Sequence, residues 1–279
     1  KDNHWAICPT CQGRGNKSRR LRKKVKLQYQ RDLELFKKTS NEATPPPRPK
    51  GHIESCLNCK GSGLIPSATP TVLNNETYPH VAIIGAGIGG VALAVACFHR
   101  GIPFTLYERD DNFEARSQGY GLTLQQASRA IAGLGIPLLK DGVVSTRHLV
   151  HTTDGKVIAE WGIRKWKPSK INPSPKRTNV HIARQSLRLA LLEQLSGHEA
   201  VHWGYQLMDY KERKDGAVDL NFQVDGNMKS VHADIVVGAD GIRSSVRHLL
   251  MGEDAPPLSY LGCIVILGIC PLKDINDVD

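Results

Sequence analysis

VAIIGAGIGGVALAVACFHRGIPFTLYER spans residues 81–109. Its first five residues, Val81 to Gly85, are a short β-branched run that reads as a buried parallel strand. GAGIGG then matches G-x-G-x-x-G with Gly85, Gly87 and Gly90. The next ten residues have the composition of a helix, closed by Gly101 as a C-terminal cap. Residues 103–109 read as a second strand ending in Glu108, 18 residues past Gly90. Strand, glycine turn, helix and strand in that order predict a βαβ unit that binds a dinucleotide.

Each part has a physical task. Gly85 permits the tight turn out of the strand, Gly87 lets the backbone approach a pyrophosphate, and Gly90 lets helix and strand pack closely. The helix N-terminus presents free N–H groups and a positive dipole to phosphate. Glu108 can accept two hydrogen bonds from an adenosine ribose, and its charge would repel a 2′-phosphate. Arg109, beside it, is counted with the cofactor-binding residues. The fingerprint alone fits FAD or NAD.

Working outward, ADIVVGADGIRSSVR (residues 233–247) decides between them. Ile235 to Val237 read as a buried strand, Asp240 and Gly241 as a turn, and Ser244 and Arg247 lie on one face of a helix. The pattern D-G-x-x-S-x-x-R resembles the second signature of the single-component flavoprotein aromatic hydroxylases, the family that includes para-hydroxybenzoate hydroxylase and zeaxanthin epoxidase. SQGYGLTLQQASRAIAGLGI (117–136) is similar to its glycine turn and helix, which implies that Gly121 lies near the flavin. NVHIARQSLRLALLEQL (179–195) is similar to its strand, arginine and helix, which implies that Arg184 reaches the cofactor. Asp240 is also read as a cap of the helix that follows it, a role compatible with cofactor contact.

Two hairpins are expected, with Asp154-Gly155 and Asp225-Gly226 at their turns. The body is therefore expected to be α/β: a Rossmann-like FAD-binding domain with a mainly parallel sheet and inserted antiparallel hairpins. Residues 261–272 read as one more buried strand, too short at 12 residues to span a membrane. KWKPSKINPSPKR (165–177) reads as a surface loop. His148 and His151, three apart on a strand, face opposite sides and are set aside as a metal pair.

The charge is segregated. Residues 1–70 hold 15 Lys/Arg against 5 Asp/Glu, whereas residues 71–279 hold 22 of each. A basic module joined to a neutral body makes nucleic acid an unfavoured partner of the chain as a whole; the module itself reads first as a solvated helical hairpin stapled at its base, and contact with an acidic protein partner, RNA or an anionic membrane surface is the sharper reading. The module carries CPTCQGRG (8–15) and CLNCKGSG (56–63), both C-x-x-C-x-G-x-G. Two such knuckles, Cys8, Cys11, Cys56 and Cys59, complete the four-sulfur shell of a structural zinc. They resemble the zinc region of DnaJ-type chaperones over about 16 residues, with two repeats in place of four. Between them Leu21, Val25, Tyr29, Leu33 and Phe36 form one apolar stripe on a basic helix, which TPPPRPKG (44–51) then stops. The expected domains are a zinc module over 1–66, a linker over 67–79 and a flavin domain over 80–279. Cysteines paired for metal point to an intracellular, reducing compartment.

The flavoprotein resemblance implies a monooxygenase. NAD(P)H reduces FAD, and a flavin hydroperoxide transfers one oxygen atom of dioxygen to a small organic substrate. The family's further glycine-aspartate signature is not met before Asp279, so the chain is read as C-terminally incomplete, with weak FAD binding and no turnover expected of these residues alone. Two other classes stay open: an interaction protein built on the zinc module with a degenerate flavin fold, and an oxidoreductase that is not a monooxygenase.

Overall fold

The computed structural model describes residues 4–38, 44–116, 120–124, 127–136, 138–145, 147–162 and 179–264. Its chain contacts divide it between Ser67 and Ala68 into two units.

The first unit holds strands β1 (His4–Ile7) and β2 (Asn16–Ser18), helix α1 (Lys23–Lys38), and strands β3 (Ile53–Ser55) and β4 (Leu64–Ser67). β1 pairs with β4 and β2 with β3, both antiparallel. Ser67, the first residue of the expected linker, is thus a sheet residue opposite His4. The pairing is enforced by the cysteine knuckles, which bring the two arms together: Cys8 N–H donates to Gly63 O and Cys56 N–H to Gly15 O, both at 2.8 Å. Helix α1 follows the apolar stripe read from its spacing, yet none of its residues is buried.

The second unit begins its regular structure with β5 (Val81–Ile84), α2 (Ile88–Phe98) and β6 (Phe104–Tyr107), the predicted βαβ unit. There follow β7 (Gly121–Leu124), α3 (Ala127–Ala132), β8 (Val143–Ser145), β9 (Arg147–His151), β10 (Val157–Gly162), β11 (Asn179–Ala183) and α4 (Arg184–Leu192). The remainder comprises β12 (Val201–His202), β13 (Gln206–Glu212), β14 (Val218–Val224), β15 (Asn227–Ala233), β16 (Ile235–Gly238) and α5 (Ser245–Met251).

A parallel sheet with the order β12-β6-β5-β16 forms the centre. Side chains of β5 alternate between its two faces, as strand geometry requires. Val81 and Ile83 join Leu106 against α2 and α4, where Val91, Val95, Leu187 and Leu191 are fully or nearly fully buried. Ala82 and Ile84 turn the other way, with Tyr107, onto Leu220 and Phe222 of the antiparallel sheet β13-β14-β15. The layers are therefore helix, parallel sheet, antiparallel sheet. A third sheet of this unit, the antiparallel β7-β11-β8, carries the strand that leads into α4.

Both hairpins form. Asp225 (φ 48°) and Gly226 (φ 79°) make the tight turn between β14 and β15, a left-handed pair that matches strand twist. A parallel sheet accompanied by antiparallel hairpins agrees with the expected α/β class, and among the described residues the hairpin strands form sheets of their own, of which β13-β14-β15 packs on the central sheet. Two readings need correction. Ile235 is 43% exposed, and among the described residues β16 is an edge strand with a partner on one side only. Residues 261–264, read as the start of a buried strand, are irregular, and Leu261 and Ile264 are exposed. An apolar run becomes a buried strand only where neighbours complete its ladder, and no described strand pairs with these residues. The remainder of that run, and all of residues 165–177, lie outside the described residues. Among those described, no helix is long and apolar enough to cross a membrane.

Candidate functional site

Because β5, β6 and β16 run parallel and adjacent, the loops that follow them leave the sheet at the same edge. Ligands of such sheets bind in the crevice outside the carboxyl ends of the strands. A cavity of ≈ 410 Å³ lies there, within the range of small-molecule and cofactor sites.

The glycine loop and the aspartate loop meet in its floor. Ala239 N–H donates to Ile84 O at 2.7 Å, locking the end of β16 to the end of β5. Gly85 has φ 103°, and a Cβ there would lie 2.6 Å from the Ala239 carbonyl oxygen. A Cβ on Gly90 would overlap the Gly85 carbonyl oxygen. Gly87 differs: its backbone is extended and a Cβ would meet nothing within 4 Å. Open space thus stands over Gly87 at the start of α2, where backbone N–H groups lack helical partners.

Glu108 ends the second strand and ties the loops together. One carboxylate oxygen accepts the Ala86 N–H at 2.8 Å and the other the Asp110 N–H at 3.2 Å. Each oxygen keeps a further lone pair for a hydroxyl donor. Asp240 Oδ2 accepts the Val246 N–H at 3.1 Å, so this side chain does hold the start of α5, together with Ser244, whose Oγ accepts the Arg247 N–H at 3.0 Å. Asp240 Oδ1 is buried and has no hydrogen-bond partner among the described residues. A buried carboxylate oxygen without a donor is costly, and a ligand hydroxyl in the crevice would satisfy it.

Of the residues singled out in the sequence, Gly85, Gly87, Glu108, Arg109, Arg184, Asp240 and Gly241 line this crevice. Gly90 lies behind it as the packing point of loop and strand. Gly121 is not in the lining. It opens β7 opposite Ala183, one residue before Arg184, and the His181 imidazole fills the space a side chain would need. The Tyr120 carbonyl accepts the Arg184 N–H at 3.1 Å, and the guanidinium lies 5.7 Å from the Tyr120 ring centre.

Sequence reasoning passed over Arg188. It is 8% exposed, donates through Nε to the Ala86 carbonyl at 2.7 Å, and lies over the Phe113 and Trp203 rings at 5.0 and 5.2 Å. The signal was its place among Leu187, Leu191 and Leu192 on the apolar face of α4, where an arginine is buried only for a reason. Arg188→Met is expected to weaken FAD binding roughly ten- to a hundredfold by releasing the glycine loop, as loss of a charged hydrogen bond predicts. Arg188→Lys should not rescue it, because the planar fork is lost. Titration followed by flavin fluorescence measures both.

The four cysteines form a second constellation, within the first unit. Their sulfurs all lie within 4.8 Å of one another, with Cys8–Cys56 at 3.9 Å and Cys11–Cys59 at 3.7 Å. A tetrahedron with metal–sulfur bonds of about 2.3 Å separates its sulfurs by about 3.8 Å. The two knuckles repeat each other: Gln12 and Lys60 (φ 52° and 51°) turn left-handed, and Gly13, Gly15, Gly61 and Gly63 continue with positive φ. Asn58 Nδ2 donates to Cys8 Sγ at 3.4 Å and Gly63 N–H to Cys59 Sγ at 3.2 Å. Burial opposes ionisation of Cys8, but hydrogen bonds from the Cys11 backbone, Asn58 and the Thr10 backbone outweigh it and hold the thiol at about 6. Cys59 is lowered in the same way, by the Gly63 and Gly61 backbone. Burial and the neighbouring thiols push Cys11 up to about 11. Four thiolates this close coexist only around a cation.

A glycine loop and an aspartate loop joined at the carboxyl edge of a parallel sheet define a dinucleotide-binding fold. Residues 78–255 match the FAD binding domain family FAD_binding_3, and the chain belongs to that family. It is 32% identical over 193 residues to the protein named "Probable FAD-dependent monooxygenase" of Arthroderma benhamiae, covering 66% of this chain and 42% of that one. It is 30% identical over 211 residues to FAD-dependent monooxygenase eupB of Phoma sp, covering 71% and 46%. The solved 2,6-dihydroxypyridine-3-hydroxylase of Arthrobacter nicotinovorans superposes with a TM-score of 0.50 at 24% identity, over 63% of this chain and 40% of that one, a likeness of fold. The chain spans less than half the length of these relatives.

Proposed function

We propose that this protein serves an FAD-dependent monooxygenase of the para-hydroxybenzoate hydroxylase-like type, which uses NAD(P)H and dioxygen to hydroxylate or epoxidise a small organic molecule. The observation that carries the reading is the partnerless Oδ1 of Asp240, buried at the crevice beside the open space over Gly87. FAD, when bound, supplies electron transfer and the activation of dioxygen. The residues supply its place. The N-terminus of α2 holds the pyrophosphate, Glu108 accepts from the adenosine ribose, Arg184 pairs with the anionic middle of the cofactor, and Asp240 accepts from a flavin-side hydroxyl. Arg188 and Glu108 keep the loop between them at fixed spacing through the Ala86 carbonyl and N–H.

The reading is tested on protein extended to the length of its relatives and loaded with FAD, by supplying NAD(P)H, labelled dioxygen and a panel of phenols and alkenes. Product carrying one labelled oxygen supports it; NAD(P)H oxidation without labelled product points to an oxidoreductase of another kind.

For the first unit we propose a structural zinc held by Cys8, Cys11, Cys56 and Cys59 in a module of the DnaJ type. The sulfur spacing and the repeated knuckle geometry support this. Thiols kept for a metal fit a reducing, intracellular compartment. The excess of cations in this unit fits an acidic protein partner.

A further inference from the structure

Beside the first cysteine knuckle, the first unit has a cleft of ≈ 690 Å³. Its walls are the knuckle, β2, and the proline-rich segment before β3. Arg14, Lys17, Arg48 and Lys50 line it, and no carboxylate does. None of these four has an ion-pair partner among the described residues. Glu54, the acid on β3, is engaged by Arg19 at 2.7 Å.

The cleft is set in advance. Arg14 donates through Nε to the Cys11 carbonyl at 3.2 Å and through a terminal nitrogen to Gln12 Oε1 at 2.9 Å, so the knuckle fixes its guanidinium. Pro45, Pro46, Pro47 and Pro49 stiffen the opposite wall, which carries Arg48 and Lys50. Neither wall loses much freedom when an anion arrives, and preorganisation of this kind raises affinity.

We propose that this cleft binds an extended acidic peptide segment. The inference rests on the acidic-partner reading above and assigns it a place. Arg14 presents a fork that takes a carboxylate through two hydrogen bonds, while Lys17, Arg48 and Lys50 act as point or forked charges along the segment. Pro49 and Ile53, the latter 64% exposed, offer an apolar strip to the methylene stems of Glu or Asp neighbours. The lining holds no aromatic ring, the platform on which single-stranded nucleic acids stack their bases. The surrounding excess of positive charge steers an acidic segment toward the site.

The test uses the full chain, zinc-loaded, and a fluorescein-labelled peptide of alternating Asp and Ser, followed by anisotropy at physiological ionic strength. Arg48→Glu with Lys50→Glu is expected to weaken binding about tenfold or more. Lys37→Glu with Lys38→Glu on α1 makes the same change in net charge away from the cleft, and should alter binding by no more than about twofold. Lys17→Gln with Lys50→Gln repeats the loss in smaller measure without charge reversal. Equal losses in the cleft and helix variants, or no loss in the cleft variants, overturn the cleft while leaving an acidic partner in place. Failure of the wild-type chain to bind the peptide at all overturns both. An oligouridylate that binds more tightly than the peptide and displaces it assigns the cleft to nucleic acid and overturns the proposal.

Discussion

Gly90→Ala is expected to destabilise the flavin unit strongly. Its added methyl would overlap the Gly85 carbonyl oxygen and press on the Ala239 side chain at 3.3 Å. Both neighbours are fixed: Gly85 N–H donates to Tyr107 O at 2.8 Å, and Ala239 N–H to Ile84 O at 2.7 Å. Relief therefore requires α2 to move off β5, which opens the core around Val91, Val95, Leu187 and Leu191. Overpacking of this kind costs on the order of 3 kcal/mol or more, against a total stability of about 5–15 kcal/mol for a domain. A fall of about 10 °C in the melting temperature follows for a unit of this size. Differential scanning calorimetry reads it, and an unchanged transition would show that helix and strand do not pack as described.

The second large effect concerns the zinc proposed for the first unit. The buried cluster of the first unit consists of Cys8, Cys11, Cys56 and Cys59, with Ile65 packed against them. Leu64 is the one other buried apolar residue of this unit among those described. So small a core cannot offset the entropy of ordering some sixty residues, and small domains of this kind depend on a staple. Structural zinc contributes about 10–16 kcal/mol of folding free energy. Removing zinc with a strong chelator, or replacing Cys56 with serine, is expected to erase amide protection over residues 4–18 and 53–67. One equivalent of zinc should be released per chain. Persistence of protected amides in metal-free protein would mean that the knuckles hold without a cation.

Much of this was legible in the residues. The β5–α2–β6 unit announces itself because glycine spacing, strand composition and an acidic strand end all serve one geometry, and local rules suffice to read it. The same holds for the Asp154-Gly155 and Asp225-Gly226 turns, whose backbone angles few residues accept. The cysteine knuckles were legible from spacing alone, although the four short strands around them were not, since β1 and β4 are paired by contacts sixty residues apart. What local pattern does not encode is which sheet a strand joins. The edge position of β16 and the separate sheet of β13, β14 and β15 are tertiary outcomes, decided by partners distant in sequence. Arg188 shows the same limit at the site. A charged residue at an apolar helical position signals a buried role, but its acceptor, Ala86, lies 102 residues earlier.

The glycine loop and the aspartate loop are proposed to hold one flavin cofactor between them, and Gly87 tests that most directly. Its backbone is extended and a Cβ there would meet nothing within 4 Å, so the protein itself has room for a small side chain. The space such a side chain would take is the space assigned to the pyrophosphate. Titration of the full chain with FAD, followed by flavin fluorescence, is expected to show one binding event that Gly87→Val weakens at least about a hundredfold, with the melting temperature of the apoprotein unchanged. Equal FAD affinity in wild type and Gly87→Val would contradict the account.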